Sequence, residues 1–418
     1  MKVWIIRDLE PISTDPGAPR LMRAGILSSK LAEMGHDTVW YTSSFNHYTR
    51  TQRPAGRFRL NDHLIVNVIY APGYSKNISI KRIIHNIKFA RDLQKKLISE
   101  PELPDIIVAD LPTTEAASLA VKLGIKMNIP TIVTIRDLWP DFFANYVPAK
   151  LRPLARYGVY PLEKQATFAC RYATSLIGIS EMYLRWGQNK GREDTSLDNV
   201  FPLGYKPVPL VEHQNNQTIR DKFQVAQNKT IISFVGSWGK SYDIQLLAET
   251  ANILRNRTDI VFVIAGDSSI QPKIEKKLNS LSNVVLAGWL DRHEVASLLR
   301  CSSVGILPYK SNAPQGLPNK IFEYMAYGAF QISTLSGEAK KLLEETGTGI
   351  SVLPGSAREL SKAIEKYLSE APSPKSRSRI IKIFEERYSS EIIYNNYINH
   401  MKDVLAAHRN KTPYSSAV

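Results

Sequence analysis

Cysteine is nearly absent: Cys170 and Cys301 are the only two in 418 residues, far apart and without His or Cys at metal-ligand spacing. That excludes a disulfide framework and a zinc motif, and both thiols are expected to be reduced and buried. Long apolar runs are missing too. The run before Arg7 in "MKVWIIRDLEP" is too short for a signal-peptide core and no other run could span a bilayer, so a cytoplasmic protein is expected. Acidic side chains are scarce beside basic ones, 39 against 54, giving a net charge of +15 and favouring an anionic partner such as a phosphorylated substrate or an acidic membrane surface. Zinc-finger spacing, aromatic-plus-basic single-strand signatures and solenoid repeats are all lacking, so nucleic acid is not expected as a partner.

What is present is alternation. The runs "KVWII", "HDTVWYT", "LIVNVIYA", "DIIVAD", "TIVTI" and "SLIGIS" read as buried parallel strands, each followed by helical periodicity. "LMRAGILSSKLAEMGHD" is one such helix, ended by Gly35, with Leu21, Ile26, Leu27 and Leu31 inward. A Pro-rich, then polar stretch at 199–217 reads as a linker. Alternation restarts with "TIISFVGS", "DIVFVIAGD", "NVVLAGW", "SVGILPY", "FQISTL" and "GISVLPG". With 43% hydrophobic residues the chain can bury two cores. The expectation is α/β: two doubly wound Rossmann-like domains facing across a cleft, with the carboxyl ends of both parallel sheets as the default ligand site. Their expected bounds are 1–206, 207–386 and a C-terminal helical tail at 387–418 that returns to the first domain.

The segment "QGLPNKIFEYMAYG" (315–328) places a helix start, at Pro318, just after the strand "SVGILPY", and Gly328 just past its last turn. Ile321, Phe322 and Met325 are expected on the buried face, with Lys320, Glu323, Tyr324 and Tyr327 opposite. A helix start outside a strand end suits phosphate, and a carboxylate further in can accept hydrogen bonds from paired ribose hydroxyls. A plain Lys320–Glu323 surface pair fits the same spacing.

"LPYKSNAPQGLPNKIFEYMAYGAFQIST" resembles the signature region of the family 4 retaining glycosyltransferases of the GT-B fold. "LAEMGHDTVWYT", "IRDLWPDFF", "ATSLIGISEMYLRWG", "FVGSWGKSYDIQLLAETA", "NVVLAGWLDRHEVASLLRCSSVGILPY" and "GTGISVLPGSARELSKAI" follow the family in order along nearly the whole chain. "RDLWP" and "LPYK" are similar to forms in the fucosaminyltransferase-like branch of O-antigen and capsule synthesis. The resemblance implies a hexosyl- or N-acetylhexosaminyltransferase working on a UDP-linked nucleotide-sugar and a lipid-linked or polysaccharide acceptor, with retention and no cofactor or metal. It would work peripherally at the inner face of the cell membrane, in cell-surface polysaccharide synthesis.

The resemblance also implies site residues. Glu323 would hold the donor ribose; Lys240, in "GSWGK", would neutralise the diphosphate together with Gly316, Leu317 and Lys320. The backbone of Leu290 stands at the base-reading position, and Gly17 lies in the loop where backbone approaches donor and acceptor. Two departures stand out: Gln315 replaces the first glutamate of the family's Glu, seven residues, Glu pattern, and "IRD" replaces its frequent His-Asp, leaving Arg136 and Asp137 to position sugar or acceptor. Lys240 as a solvated turn lysine and Arg136–Asp137 as a structural pair remain open, as do a non-catalytic nucleotide-sugar-binding subunit and a nucleotide-sugar epimerase of the same fold.

Overall fold

The structure, a computed structural model, describes residues 1–17, 20–141, 152–209, 219–313, 316–370 and 373–411. The chain forms two compact units: Met1–Leu203 with Tyr394–Val418, and Gly204–Ile393.

The strands in chain order are β1 (Lys2–Ile6), β2 (Asp37–Ser43), β3 (Phe45–Asn46), β4 (Thr51–Gln52), β5 (Gly56–Asn61), β6 (Leu64–Ile69), β7 (Ile106–Leu111), β8 (Thr131–Ile135), β9 (Ser175–Gly178) and β10 (Asn199–Val200). Eight of them make one sheet in the order β10-β9-β8-β7-β1-β2-β6-β5, while β3 and β4 pair by themselves. β1, β7 and β8 are buried along nearly their whole length, which is why their sequences are unbroken apolar runs rather than alternating ones. The six sequence runs of the first half all become parallel strands; β5, antiparallel to β6, is an edge whose mostly exposed "GRFRLN" carries no such run. Successive strands leave β1 in opposite directions, so the β1/β7 boundary is a topological switch point where the following loops diverge.

The helix Ser390–Lys411 contributes Tyr394 onward to this unit. Tyr397 stacks on Phe201 at 5.2 Å and its hydroxyl lies 2.8 Å from Thr134 Oγ1. Arg23 donates to the Phe201 and Pro202 carbonyls and lies 5.5 Å from the Tyr397 ring.

The second unit is a six-stranded, wholly parallel sheet of β11 (Thr230–Val235), β12 (Ile260–Ala265), β13 (Val284–Gly288), β14 (Ser302–Leu307), β15 (Phe330–Ser333) and β16 (Gly349–Ser351), in the order β13-β12-β11-β14-β15-β16. Its switch point is β11/β14. The helix Lys320–Ala326 follows β14, with the Pro318 carbonyl accepting from Ile321 N–H and Gly328 closing it at φ 71°. Ile321, Phe322 and Met325 are buried as their spacing requires. Tyr324 and Tyr327, expected on the open face, are buried as well. The reason is that both sides of this helix are covered. The Tyr324 ring lies on Gly305 of β14, and its hydroxyl accepts the Val235 N–H at 3.0 Å; the Tyr327 hydroxyl accepts the Val208 N–H at 3.0 Å. Cys170 is buried, but Cys301, expected to be buried, is only half covered at the end of the helix Arg292–Cys301.

A Cβ on Gly305 would stand 2.3 Å from Tyr324 Cδ2. Gly305→Ala should therefore displace the ring, cost about 1–3 kcal/mol of unfolding free energy and shift urea midpoints accordingly; a wild-type midpoint would show that Tyr324 does not fix this helix.

Candidate functional site

In the second unit, the loops leaving the carboxyl ends of β11 and β14 are tied together by backbone: Asp243 N–H to the Pro308 carbonyl at 2.7 Å, and Lys310 N–H to the Ser241 carbonyl at 2.9 Å. Tyr242 and Tyr309 add a hydroxyl contact of 3.0 Å between the same loops. Two glycines allow the approach. A Cβ on Gly266 would fall 1.9 Å from the Gly236 carbonyl oxygen, and one on Gly236 would fall 3.2 Å from Lys320 Nζ. The Lys320 ammonium therefore lies over bare backbone at the end of β11, joining the helix after β14 to the "GSWGK" loop.

Glu323 is half-buried one helical step further on. Burial raises the Tyr242 pKa, and the Glu323 charge adds to that rise. Lys240 is exposed at the loop's turn. Gly316 and Leu317 precede the helix, with the Leu317 side chain against the core. The Leu290 side chain is buried, so only its backbone can face a ligand; Gly288, at φ 64°, offers its carbonyl to Gly266 N–H at 2.7 Å and brings that loop beside the β12 end. Gln315 lies outside the described residues. Of the expected donor-side residues, Lys320 thus meets the β11 loop, which itself carries Lys240; Gly236, Tyr242, Gly266 and Gly305, which shape the meeting, carried no distinctive sequence signal.

In the first unit, the loops after β1, β7 and β8 hold a charged cluster. Arg136 pairs with Glu10, and with Asp110 at 3.2 Å; Arg7 lies 3.4 Å from Glu10 and 3.7 Å from Asp110. Burial disfavours the Arg136 charge, but the two carboxylates outweigh it and raise the pKa. Burial likewise works against ionised Glu10, and Arg136 and Arg7 overcome it, so its pKa falls. Arg136 is thus engaged with Glu10 and Asp110 rather than with Asp137. Asp137 is exposed at the rim, and the surrounding protein raises its pKa against the pull of Arg7, Arg82 and Arg136. Gly17 adopts φ 83° with open space where a Cβ would be. A second group, which sequence reading missed, has Asp8 accepting from Thr113 and standing 3.4 Å from the buried His85 Nε2. Beside it is Glu115, buried in the first turn of the helix Thr114–Met127 with Oε1 unpartnered among the described residues.

Among known proteins, residues 229–370 match the family model described as Glycosyl transferases group 1, and residues 24–193 match the model of Glycosyltransferase Family 4. The alpha-D-kanosaminyltransferase of Streptomyces kanamyceticus is 25% identical over 166 residues, 39% of this chain and 41% of the relative, so the match spans about two fifths of that protein. Sucrose-phosphate synthase from Thermosynechococcus elongatus superposes with a TM-score of 0.70 at 17% identity, covering 97% of this chain and 99% of that one. Anabaena HepE, solved in complex with UDP and glucose, gives 0.62 at 16% identity, covering 96% and 100%. These likenesses show the fold, two Rossmann-like domains of the GT-B type.

Burial raises the Glu115 carboxyl to about 6 from an ordinary 4.5. The native state holds that proton more tightly than the unfolded chain, so the contribution is full below about pH 4.5 and lost as pH rises past about 6. Glu115→Gln should therefore be more stable than wild type by about 2 kcal/mol at pH 7.5, the gap closing below pH 5, in urea melts run across pH. Parallel pH profiles would contradict the burial of an ionisable Glu115.

Proposed function

We propose, from the premise that this chain is a glycosyltransferase of the GT-B fold, that it moves a sugar from a UDP-linked donor to a hydroxyl of a lipid-linked glycan with retention of configuration. The observation that carries the donor assignment is the meeting of Lys320 with Gly236 at the β11/β14 switch point, where parallel α/β sheets bind ligands. HepE, of the same fold, was solved with UDP. The relative from Streptomyces, an aminosugar transferase by name, supports an amino- or N-acetylaminosugar donor of the kind the fucosaminyltransferase-like branch uses.

In this reading Glu323 accepts hydrogen bonds from the ribose hydroxyls, while Lys240, Lys320 and the backbone of Gly316 and Leu317 face the diphosphate. The bond between the anomeric carbon and the β-phosphate oxygen breaks, and its electron pair leaves with the nucleoside diphosphate. Cations already in place meet that charge without reorganising, which is the economical way to lower such a barrier. The acceptor oxygen attacks from the same face, and its proton passes to the departing phosphate. Gln315 would touch the transferred sugar, the Leu290 backbone the base, and Gly17 and Asp137 the sugar or acceptor. Arg136 would act at one remove, by holding Glu10 and Asp110 in place.

A lipid-linked acceptor calls for work at an anionic surface, and the helix Ile80–Ile98 supports this in an unforeseen way. By spacing alone, Ile80, Ile83, Ile84, Ile87 and Leu93 fall broadly along one side of this helix, with Lys81, Arg82, Lys88, Arg91, Lys95 and Lys96 around it. Instead Arg82, His85, Asn86, Phe89, Leu93 and Leu97 are buried, and Ile80, Ile84 and Ile87 are 76%, 52% and 45% exposed. The polar buried face meets Asp8, Pro72 and Asn77, which need hydrogen-bonding partners. The isoleucines left outside stand among Lys81, Arg91, Lys95 and Lys96, an arrangement suited to acidic headgroups. Among the described residues no helix is long and apolar enough to cross a membrane.

Glu323→Ala and Lys240→Ala should each lower kcat/KM about 100-fold with unchanged melting temperature, and UDP-sugars should raise the wild-type melting temperature in a nucleotide-sugar panel. Wild-type turnover in both variants, or no response to any nucleotide-sugar, would refute the donor site. Ile80→Gln with Ile84→Gln should release the protein from anionic vesicles, and salt should weaken wild-type binding as screening shortens to about 8 Å at physiological ionic strength. Sedimentation equal to wild type would move the membrane surface elsewhere.

A further inference from the structure

Most buried cations of the first unit face a carboxylate: Arg7 and Arg136 face Glu10 and Asp110, Arg53 faces Asp15 at 3.1 Å, and Arg192 faces Asp198 at 2.7 Å. Arg23 is occupied by two carbonyls and the tyrosine rings. Arg82 differs. It is 9% exposed, donates to the Asn77 carbonyl at 2.9 Å, and has its Nε buried without a partner among the described residues. The Trp139 ring lies 4.6 Å away and the Tyr74 ring 5.8 Å. Arg50 converges on the same place: its guanidinium is 5.3 Å from the Tyr74 ring and donates to the Asn77 side-chain oxygen. Two guanidiniums thus share one ring and one asparagine, with no carboxylate at ion-pair distance from either among the described residues. Two positive charges gathered about one asparagine make a place that favours an anion.

Three further observations define what fits. Arg50 holds φ 59°, a left-handed conformation costly for a residue with a side chain, fixed by its N–H to the Asn46 carbonyl at 2.9 Å. His47 Nδ1 lies 2.7 Å from the Tyr74 hydroxyl and 3.3 Å from Arg50 Nη1, so Nδ1 accepts and Nε2 carries the hydrogen. Desolvation first, then Arg50 and Arg82, hold the His47 pKa down at about 4, which keeps that ring a neutral donor. Finally, Ile78 and Ile80, 40% and 76% exposed, flank the site where an apolar tail would continue.

We propose that Arg50, Arg82 and His47, backed by Tyr74 and Trp139, bind a phosphoryl group of the acceptor. The inference rests on the glycosyltransferase reading for its substrate and adds what that reading lacks, the end of the acceptor that the first unit grips. Paired guanidiniums match tetrahedral phosphate oxygens with two parallel hydrogen bonds each, and the neutral imidazole supplies a further donor without adding charge. The phosphoryl oxygens could come from the acceptor's own phosphate or from bulk lipid headgroups; the burial of Arg82 favours the acceptor, and the vesicle arm of the test separates the two.

The test uses the full chain with 5-fluorotryptophan, the Trp139 resonance being assigned by its loss in Trp139→Phe, and inorganic pyrophosphate as the probe. The wild-type resonance should move saturably, and Arg50→Gln, an exposed change that spares the fold, should weaken the apparent affinity about tenfold. The variant should still sediment with anionic phosphatidylglycerol vesicles as wild type does, and its melting temperature should still rise with UDP. A resonance that ignores pyrophosphate, or moves equally in both proteins, overturns the subsite. So does loss of vesicle binding in Arg50→Gln with pyrophosphate affinity unchanged, which assigns Arg50 to headgroups. Failure of UDP to stabilise either protein while the Trp139 response persists would count against the donor reading and for this site.

Discussion

The hydrogen bond from Val235 N–H to the Tyr324 hydroxyl, made possible by a ring lying flat on Gly305, is the contact on which the second unit's candidate site depends. It ties the last residue of β11 to the middle of the helix after β14. A single polar bond of this kind contributes only about 1 kcal/mol net, but here it is coupled to the burial of a whole phenol, so neither can be lost alone. With the helix held there, Lys320 reaches the backbone of Gly236, and Glu323 lies half-buried on the same helix. The same element therefore supplies packing that closes the core and the two charged side chains assigned to the proposed donor site.

The first unit is organised by charge rather than by one aromatic contact. Its sheet ends in a compensated quartet, Arg7, Arg136, Glu10 and Asp110, in which Arg136 and Arg7 lower the Glu10 pKa despite burial and the two carboxylates raise that of Arg136. Breaking such a set by removing one member leaves an unpaired buried charge, which costs about 3–5 kcal/mol. The quartet thus forms a rigid floor beneath the loops after β1, β7 and β8. The arginines at Asn77 have no carboxylate at ion-pair distance among the described residues, and that contrast within one unit is what the phosphoryl proposal rests on.

Much of the architecture was legible because parallel strands covered on both faces are rich in apolar residues, and most of the runs from "KVWII" to "GISVLPG" are. The edge strand "GRFRLN" was not, because solvent covers most of it. Three-and-four spacing correctly separated Ile321, Phe322 and Met325 from Glu323 but assigned Tyr324 and Tyr327 to the open side, since spacing cannot reveal that a helix is covered on two faces. On the helix Ile80–Ile98 the same rule applied only in part: Phe89, Leu93 and Leu97 went inward, but so did Arg82 and His85, which meet Asp8 and backbone carbonyls, while Ile80, Ile84 and Ile87 stayed out. The candidate site was legible in its charged members, Lys240, Lys320 and Glu323. Its glycines were not, because the need for Gly236, Gly266 and Gly305 arises from neighbours distant in sequence.

The central claim is that the second unit holds a nucleoside diphosphate at the β11/β14 switch point. A crystal structure of the full chain grown with UDP tests it most directly. The account predicts the diphosphate beside Gly236, Lys240 and Lys320, with the ribose hydroxyls within hydrogen-bond reach of the Glu323 carboxylate. UDP bound elsewhere, or oriented with its ribose away from Glu323, would contradict it.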